Sequence, residues 1–331
     1  MTPGVALVAA GILQAVLYLL FVRFIDLYER EALRYVVPVF VWGFTVAAVA
    51  SLFFNTLSTI TLSEVASAEA AQFLTAVFVA PFVEEITKGL AVLTVFVVAY
   101  LAARRRGVNE FSGIMDGIVY GSAVGFGFSI AEDLLYYAQA GPETFVVRRV
   151  FGGFAHAAFT SLIGVGLGLV TWVSSYFLKF LLPVLGLGGA IFLHGFFNLI
   201  ASLFGPLAYV LLFFVLLLYA VLIIVWLWVE RRVIREELRD EVGDSVTQEE
   251  YEILPTYFRR TAYYTRLLFT GRLRAWRRAH LVHSAAIDLA FTKRLERISY
   301  AGPQAFRLQY LRERIGELRS EENAEYAPLR S

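Results

Sequence analysis

Pro81-Phe82-Val83-Glu84-Glu85-Ile86-Thr87-Lys88 decides how the chain is read, because it sets three ionisable side chains in the middle of an apolar run. Phe73–Val83 lies on one side and Gly89–Ala103 on the other, together long enough for a membrane-crossing helix. A charged side chain near a bilayer centre costs roughly 2.5–3.5 kcal/mol even on the mild insertion scale. Two adjacent glutamates at that depth therefore imply a purpose. Lys88 follows Glu84 by four residues and Glu85 by three, so on a helix its ammonium reaches either carboxylate. One glutamate is then neutralised while the other is available as a general base. Pro81 has no N–H for the Val77 carbonyl and is expected to kink the helix one turn before Glu85.

The rest of the chain has the composition that such a helix needs. Of 331 residues 58% are hydrophobic, the mean hydropathy is +0.65 and the net charge is +1. These values indicate an all-α, polytopic membrane protein. Charge is concentrated beyond Val229, which predicts two regions: a transmembrane core over residues 1–229 and an Arg-rich helical tail over residues 230–331. The absence of cysteine excludes disulfides, thiolate metal sites and a Cys nucleophile. Met1–Phe21 is apolar without a basic leading region, and reads as a retained first span.

About seven segments are long enough to cross a ~30 Å layer. They are Pro3–Val22, Tyr35–Phe54, Gln72–Ala102, Gly113–Ala138, Val150–Trp172, Leu182–Phe204 and Leu207–Val229. Pro183 with Gly186, Gly188 and Gly189 predicts an irregular first turn in the sixth. Arginines follow the first, third and seventh spans and Lys179 the fifth, so these connections are expected in the cytoplasm, with the amino terminus outside and the tail inside. Arg148 and Arg149, at the outer end of the fifth span, run against that rule. In the tail, Leu267–Leu273 and Leu289–Ile298 have helical spacing, and Pro255 and Gly302-Pro303 punctuate the run. Arg272–Arg278 with Trp276 reads as a basic amphipathic helix on anionic lipid, and no nucleic-acid partner is expected.

Polar residues recur inside later spans. Phe128, Glu132 and Tyr136 are four apart, beside a small-residue strip of Gly117, Gly121, Gly125 and Ser129 suited to close helix packing. His156 lies between Gly152 and Thr160, and His194 is four before Asn198. At a rise of ~1.5 Å per residue, Glu132 and His156 come about 10 Å in from the outer ends of their helices, His194 about 15 Å, and Glu84 and Glu85 about 20 Å. One such residue is often only a hydrogen-bonding group between helices. Five at similar levels on four helices point to chemistry. Asp133, Asp116 and Tyr136 read instead as interfacial or capping groups.

Several protease schemes are excluded: the chain has no His-Glu-x-x-His, no Gly-x-Gly-Asp and no Gly-x-Ser-Gly with a downstream His. What fits is water activated by a carboxylate. In a metal version His156, His194 and Glu132 are the ligands and Glu84 or Glu85 the base, with zinc the expected ion. In a metal-free version Glu84 or Glu85 takes the proton from water directly, His156 helps to hold that water, and His194 with Asn198 donates to the oxyanion. Both versions stay open on sequence grounds.

Glu84-Glu85-x-x-Lys88, Phe128-x-x-x-Glu132-x-x-x-Tyr136, His156 and His194-x-x-x-Asn198, in this order on successive spans, resemble the PrsW family of bacterial intramembrane proteases. They are also similar to the wider group of CAAX prenyl endopeptidases and bacteriocin-immunity proteins. Asn198 departs from the PrsW pattern, which usually has Asp there, and matches the CAAX relatives. The resemblance implies cleavage of single-pass membrane proteins, notably anti-sigma factors, on the extracytoplasmic side. It leaves the metal question open, since PrsW relatives are grouped with metallopeptidases and CAAX relatives look like glutamic-type enzymes. The competing class is a membrane scaffold or proton conductor, against which the Glu84-Glu85 pair and the few ionisable groups towards the inner side both argue.

Overall fold

The computed structural model describes residues 3–106, 111–141, 148, 152–298 and 304–326. The expected start of the fifth span at Val150, Arg149, and the Gly302-Pro303 break lie outside these residues. The described residues form helices, with an isolated bridge between Val242 and Val246 in place of any sheet. The first five spans are α1 (Pro3–Ile25), α2 (Leu33–Ser63), α3 (Ala68–Ala102), α4 (Ile114–Ala140) and α5 (Gly153–Val170). Six apolar helical stretches are long enough to cross a membrane, the last being Tyr176–Glu241. That stretch is broken at Gly205–Leu207, where Gly205 takes a φ of +55°, giving α6 (Tyr176–Phe204) and α7 (Ala208–Glu237). The protein is thus an all-α, multi-pass membrane protein.

α4 is the axis of the bundle. Some 94% of its apolar window is buried, against 22% for α1, because its small residues let other helices approach its backbone. Gly117 of α4 faces Gly164 of α5 so closely that a methyl on either would overlap the other's carbonyl. Gly125 lies likewise against the carbonyl of His156, which fixes the height of that histidine on α5. On the opposite side of α4, Gly127 meets the Phe40 carbonyl of α2.

α2 and α3 each contain one π-helical turn, at Gly43–Ala47 and Thr75–Val79. The second precedes Pro81 and so wraps the helix differently where the glutamates begin. α6 differs from expectation: it is helical from Tyr176, with Pro183 inside it rather than in an irregular first turn. Ser175 caps it by accepting from the Leu178 N–H, and Gly186 allows contact with the Leu162 carbonyl of α5.

The tail adds α8 (Gln248–Ile253), α9 (Tyr257–Phe269), α10 (Leu273–Ile298) and α11 (Gln304–Tyr326). Leu267–Leu273 is not one helical segment, since Gly271, with φ +72°, turns the chain between α9 and α10. Val229 and Glu230 fall inside α7, which continues to Glu237. Past that point a second apolar core forms, in which Val233, Ile234 and Leu238 pack with Leu289, Ala290 and Ile315 and with Tyr28 of the α1–α2 loop.

Candidate active site

The site is assembled on α3 around Glu85, which is fully buried. Its Oε1 accepts from Lys88 Nζ at 2.6 Å and from His194 Nδ1 at 2.9 Å, and its Oε2 accepts from Thr160 Oγ1 at 2.9 Å. One carboxylate thereby joins α3, α5 and α6. A buried ion is tolerated when its oxygens are all occupied and its charge is matched, and Glu85 meets both conditions. It has no free oxygen to offer to water.

Glu84 is placed differently. Asn55 Nδ2 donates to its Oε1 at 3.4 Å, but Oε2 is buried without a hydrogen-bond partner. Lys88 Nζ stands 3.7 Å and His194 Nε2 3.9 Å from Oε2. Glu84 also lines a cavity of about 740 Å³, together with Glu132, His156, His194 and Asn198. Glu85 does not. The cavity reaches Gly152 before α5 and Gly205-Pro206 after α6, at the end of the bundle away from the tail.

The histidines are held by carboxylates. With Nδ1–H of His194 on Glu85, its Nε2 lone pair is left facing Glu84. His156 Nε2 is 2.7 Å from Glu132 Oε2, and its Nδ1 is 3.3 Å from Lys88 Nζ. Glu132 is held in turn by Arg148 Nη2 at 2.6 Å, while Arg148 Nε bonds Asp133 at 3.3 Å. This explains why Arg148 departs from the loop-charge rule. Asp133 is not interfacial as expected; it is buried and also accepts from Gln14 Nε2 at 3.0 Å. Asp116 caps α4, accepting from the Ser112 and Gly113 N–H groups. The Lys88 ammonium is 4.3 Å from the centre of the Phe128 ring, so a cation–π contact completes its surroundings.

Ligand-type atoms of Glu84, His156 and His194 all lie within 4.8 Å of one another. Two imidazoles and a carboxylate are the donor set of many catalytic metal centres. The unpartnered Glu84 oxygen within it is the kind of buried atom that a cation would satisfy. These residues fit a metal ion. The expected ligand set is therefore corrected in one member: Glu84, not Glu132, is gathered with the histidines, because Arg148 draws Glu132 to the far side of His156.

Asn198 also differs from expectation. Its Nδ2 donates to the Ala76 carbonyl at 2.8 Å. Ala76 lies in the π turn of α3, whose i−5 pairing would join it to residue 81. Residue 81 is proline and has no N–H. Asn198 supplies the missing donor and so ties α6 to α3, a role its spacing from His194 did not foretell. Three participants escaped the sequence reading. Asn55 falls just past the expected end of the second span, whereas α2 runs on to Ser63. Thr160 was visible only as a neighbour of His156 in spacing, and Arg148 only as an exception to the charge rule.

Comparison with known proteins identifies the family. The family model for the PrsW family intramembrane metalloprotease matches residues 31–227, more than half of the chain. The chain is 30% identical over 198 residues to the protease PrsW of Geobacillus kaustophilus, covering 58% of this chain and 78% of that protein. It is 35% identical over 118 residues to the protease PrsW of Oceanobacillus iheyensis, covering 34% and 52%. To that of Shouchella clausii it is 34% identical over 146 residues, covering 44% and 62%. No solved structure matches. The matched segment contains every residue of the site from Asn55 to Asn198, and the chain belongs to the PrsW family of intramembrane proteases.

Proposed function

We propose that the protein hydrolyses peptide bonds of single-pass membrane proteins, of the anti-sigma-factor kind, near the extracytoplasmic surface, with Glu84 as the group at which water is activated, as a metal ligand in the first reading and as the base in the second. The observation that carries this reading is the contrast between Glu84, with an unpartnered oxygen beside the cavity, and Glu85, whose oxygens are all engaged. A bound divalent ion, zinc in this reading, would be held by Glu84, His156 and His194 and would supply Lewis-acid polarisation of water or of the scissile carbonyl. The chain's own residues do the rest. Glu85 holds His194 in the tautomer that presents Nε2, and Glu132, fixed by Arg148, orients His156. Lys88 neutralises Glu85 and stands 3.7 Å from Glu84, and the walls of the cavity limit access of bulk water.

A second, metal-free reading has one observation in its favour. Lys88 Nζ, 3.3 Å from His156 Nδ1, already supplies a cation beside that imidazole. Glu84 would then take a proton from water directly and return it to the leaving amine. The proposed topology puts the amino terminus outside and residues 230–331 in the cytoplasm, as a tail to a protease core over residues 1–229. The arginines after α1 support it, as does a cavity at the end remote from the tail.

The test is plasma mass spectrometry on the purified protein, combined with cleavage of a single-pass reporter. Near-stoichiometric zinc, lost in His156→Ala and His194→Ala together with cleavage, supports the metal reading. Cleavage without metal, abolished by Glu84→Gln, supports the second. Cleavage by Glu84→Gln at the wild-type rate overturns both.

A further inference from the structure

The tail helix α9 has an inner and an outer face. Arg260, Tyr264 and Leu267 turn inward: Leu267 is buried, the Tyr264 hydroxyl is 2.9 Å from His283 Nδ1 of α10, and the Arg260 guanidinium donates to the Leu27 carbonyl. Phe258, Ala262 and Phe269 share the opposite side at helical spacing. All three are exposed, Phe258 by 81% and Phe269 by 88%. Leu273, 62% exposed, follows the turn at Gly271. Large apolar side chains gathered on one outward face mark an interaction surface.

The charge beside that face has one sign. Between Glu252 and Asp288 the chain has seven arginines and no acidic residue. Arg259 and Arg266, both exposed, flank the apolar face along one side. The acids of neighbouring elements lie elsewhere. Glu249 and Glu250 of α8 line a cavity with Arg266, Arg272 and Arg278 that does not reach Phe258 or Phe269, and Glu250 is paired with Arg319. Glu29 and Glu31 share a second cavity with the inward-facing Arg260, and Asp288 there is paired with Arg307 at 3.8 Å. Trp276, expected on lipid with Arg272–Arg278, instead lines this second cavity beside His280, with ring centres 4.5 Å apart.

α9 also starts level with a loop that joins two membrane spans. The Tyr28 hydroxyl donates to the Pro255 carbonyl at 2.9 Å, and the Arg260 guanidinium is 5.3 Å from the centre of the Tyr28 ring. Leu27 and Tyr28 follow directly on the end of α1 at Ile25, and α2 begins at Leu33. Exposed Arg30 and Arg34 add two cations at this level. A helix as long as α9 spans ~20 Å, so its whole apolar face lies within about that distance of the end of α1. A second copy of the chain meeting through this face would set arginines against arginines. Anionic headgroups complement the arginines, and the boundary with the acyl chains accepts the phenylalanines.

We propose that α9 and the turn after it dock on the anionic lipids of the leaflet on the tail side, with Phe258, Phe269 and Leu273 entering the boundary between headgroups and acyl chains and Arg259 and Arg266 meeting lipid phosphates. The surface moors the tail to the bilayer that the chain's own spans cross, and it does not depend on the proteolytic site.

The test uses the full chain, whose lack of cysteine lets Ala262→Cys carry a single environment-sensitive fluorophore, in lipid nanodiscs of phosphatidylcholine alone or mixed with phosphatidylglycerol. Quenching by acrylamide reads exposure to water, and quenching by a nitroxide on the upper acyl chain reads contact with lipid. In the mixed discs water exposure is expected to fall and lipid contact to rise. An arginine near an anionic surface is worth about fivefold in such an equilibrium, so Arg259→Gln with Arg266→Gln should lower the docked-to-free ratio by roughly thirtyfold. Arg259→Lys with Arg266→Lys keeps the charge and should dock as the parent does, which separates charge from damage to α9. Equal quenching in both kinds of disc, a Gln variant that docks like the parent, or a Lys variant that fails like the Gln one would each overturn the proposal. So would shielding in detergent that rises with protein concentration, the mark of a second copy.

Discussion

The two acid groups at opposite ends of the bundle are built on opposite rules. In the cavity group each carboxylate has a cation or imidazole assigned to it: Lys88 and His194 to Glu85, Arg148 and His156 to Glu132. Among the buried carboxylate oxygens of this group, Oε2 of Glu84 is the one left without a hydrogen bond. In the tail-side group, Asp26, Glu29, Glu31, Asp116 and Glu230, the one ion pair within 4 Å among the described residues is Arg23 to Asp26, and neutral donors meet Glu29, Glu31 and Asp116. A charge matched within the fold is ready to act without rearrangement, and the single unmatched atom is where reactivity is concentrated. A charge left unmatched over a whole cluster must be met by protons or by a ligand. The same residue type thus serves chemistry at one end and dependence on solution conditions at the other.

The sharpest way to break this contrast is at the two adjacent glutamates. Glu84→Gln should lower reporter cleavage by roughly 10²- to 10⁴-fold, the usual worth of a general base, with little change in thermal unfolding. Glu85→Gln should abolish cleavage too, but through the fold. It leaves the Lys88 ammonium buried without its partner, at a cost of about 3–5 kcal/mol, visible as a large fall in melting temperature in detergent. Equal destabilisation by both variants would show that the glutamates are interchangeable.

At the tail side the expected effect follows pH. Asp26 titrates near 7 in the folded chain against 3.8 ordinarily, because of burial. Between those values the folded chain holds a proton that the unfolded chain has released, so stability falls as pH rises through this window and levels off above it. At 1.36 kcal/mol per unit the effect is about 4 kcal/mol at most. Unfolding curves from pH 4 to 8 should show it, and Asp26→Asn should flatten them. The smallest effect is expected at Asn198. Asn198→Ala removes the donor to the Ala76 carbonyl and should cost about 1–3 kcal/mol of stability. A loss of cleavage rate with unchanged stability would show that its amide acts on the substrate instead.

The cost of placing charge in an apolar run made α3 legible from the sequence, and glycine spacing foretold close packing on α4, though not that α5 is the helix it meets. The choice between Glu84 and Glu85 was not legible. Neighbours on a helix point about 100° apart, and which one meets the cavity depends on how α5 and α6 pack against α3. Glu132 was read as a ligand because its partner Arg148 comes from the connection between helices, where spacing carries no information. The tail-side acids looked like charges at the ends of spans. Only the fold brings Asp26, Asp116 and Glu230, spread over more than 200 positions of sequence, into one group.

The π turn at Thr75–Val79 acts as a phase shifter within α3. It takes up one residue more than an α turn, so the half of the helix carrying Thr75, which accepts from Thr59 of α2, is out of register with the half carrying Glu84 and Glu85. Deleting a single residue there would restore an ordinary α turn and rotate one half against the other by about 100°. Either the Thr59 contact or the pairing of Glu85 with His194 would then be lost. The catalytic register of this enzyme is set by an insertion of one residue, upstream of every side chain that does chemistry.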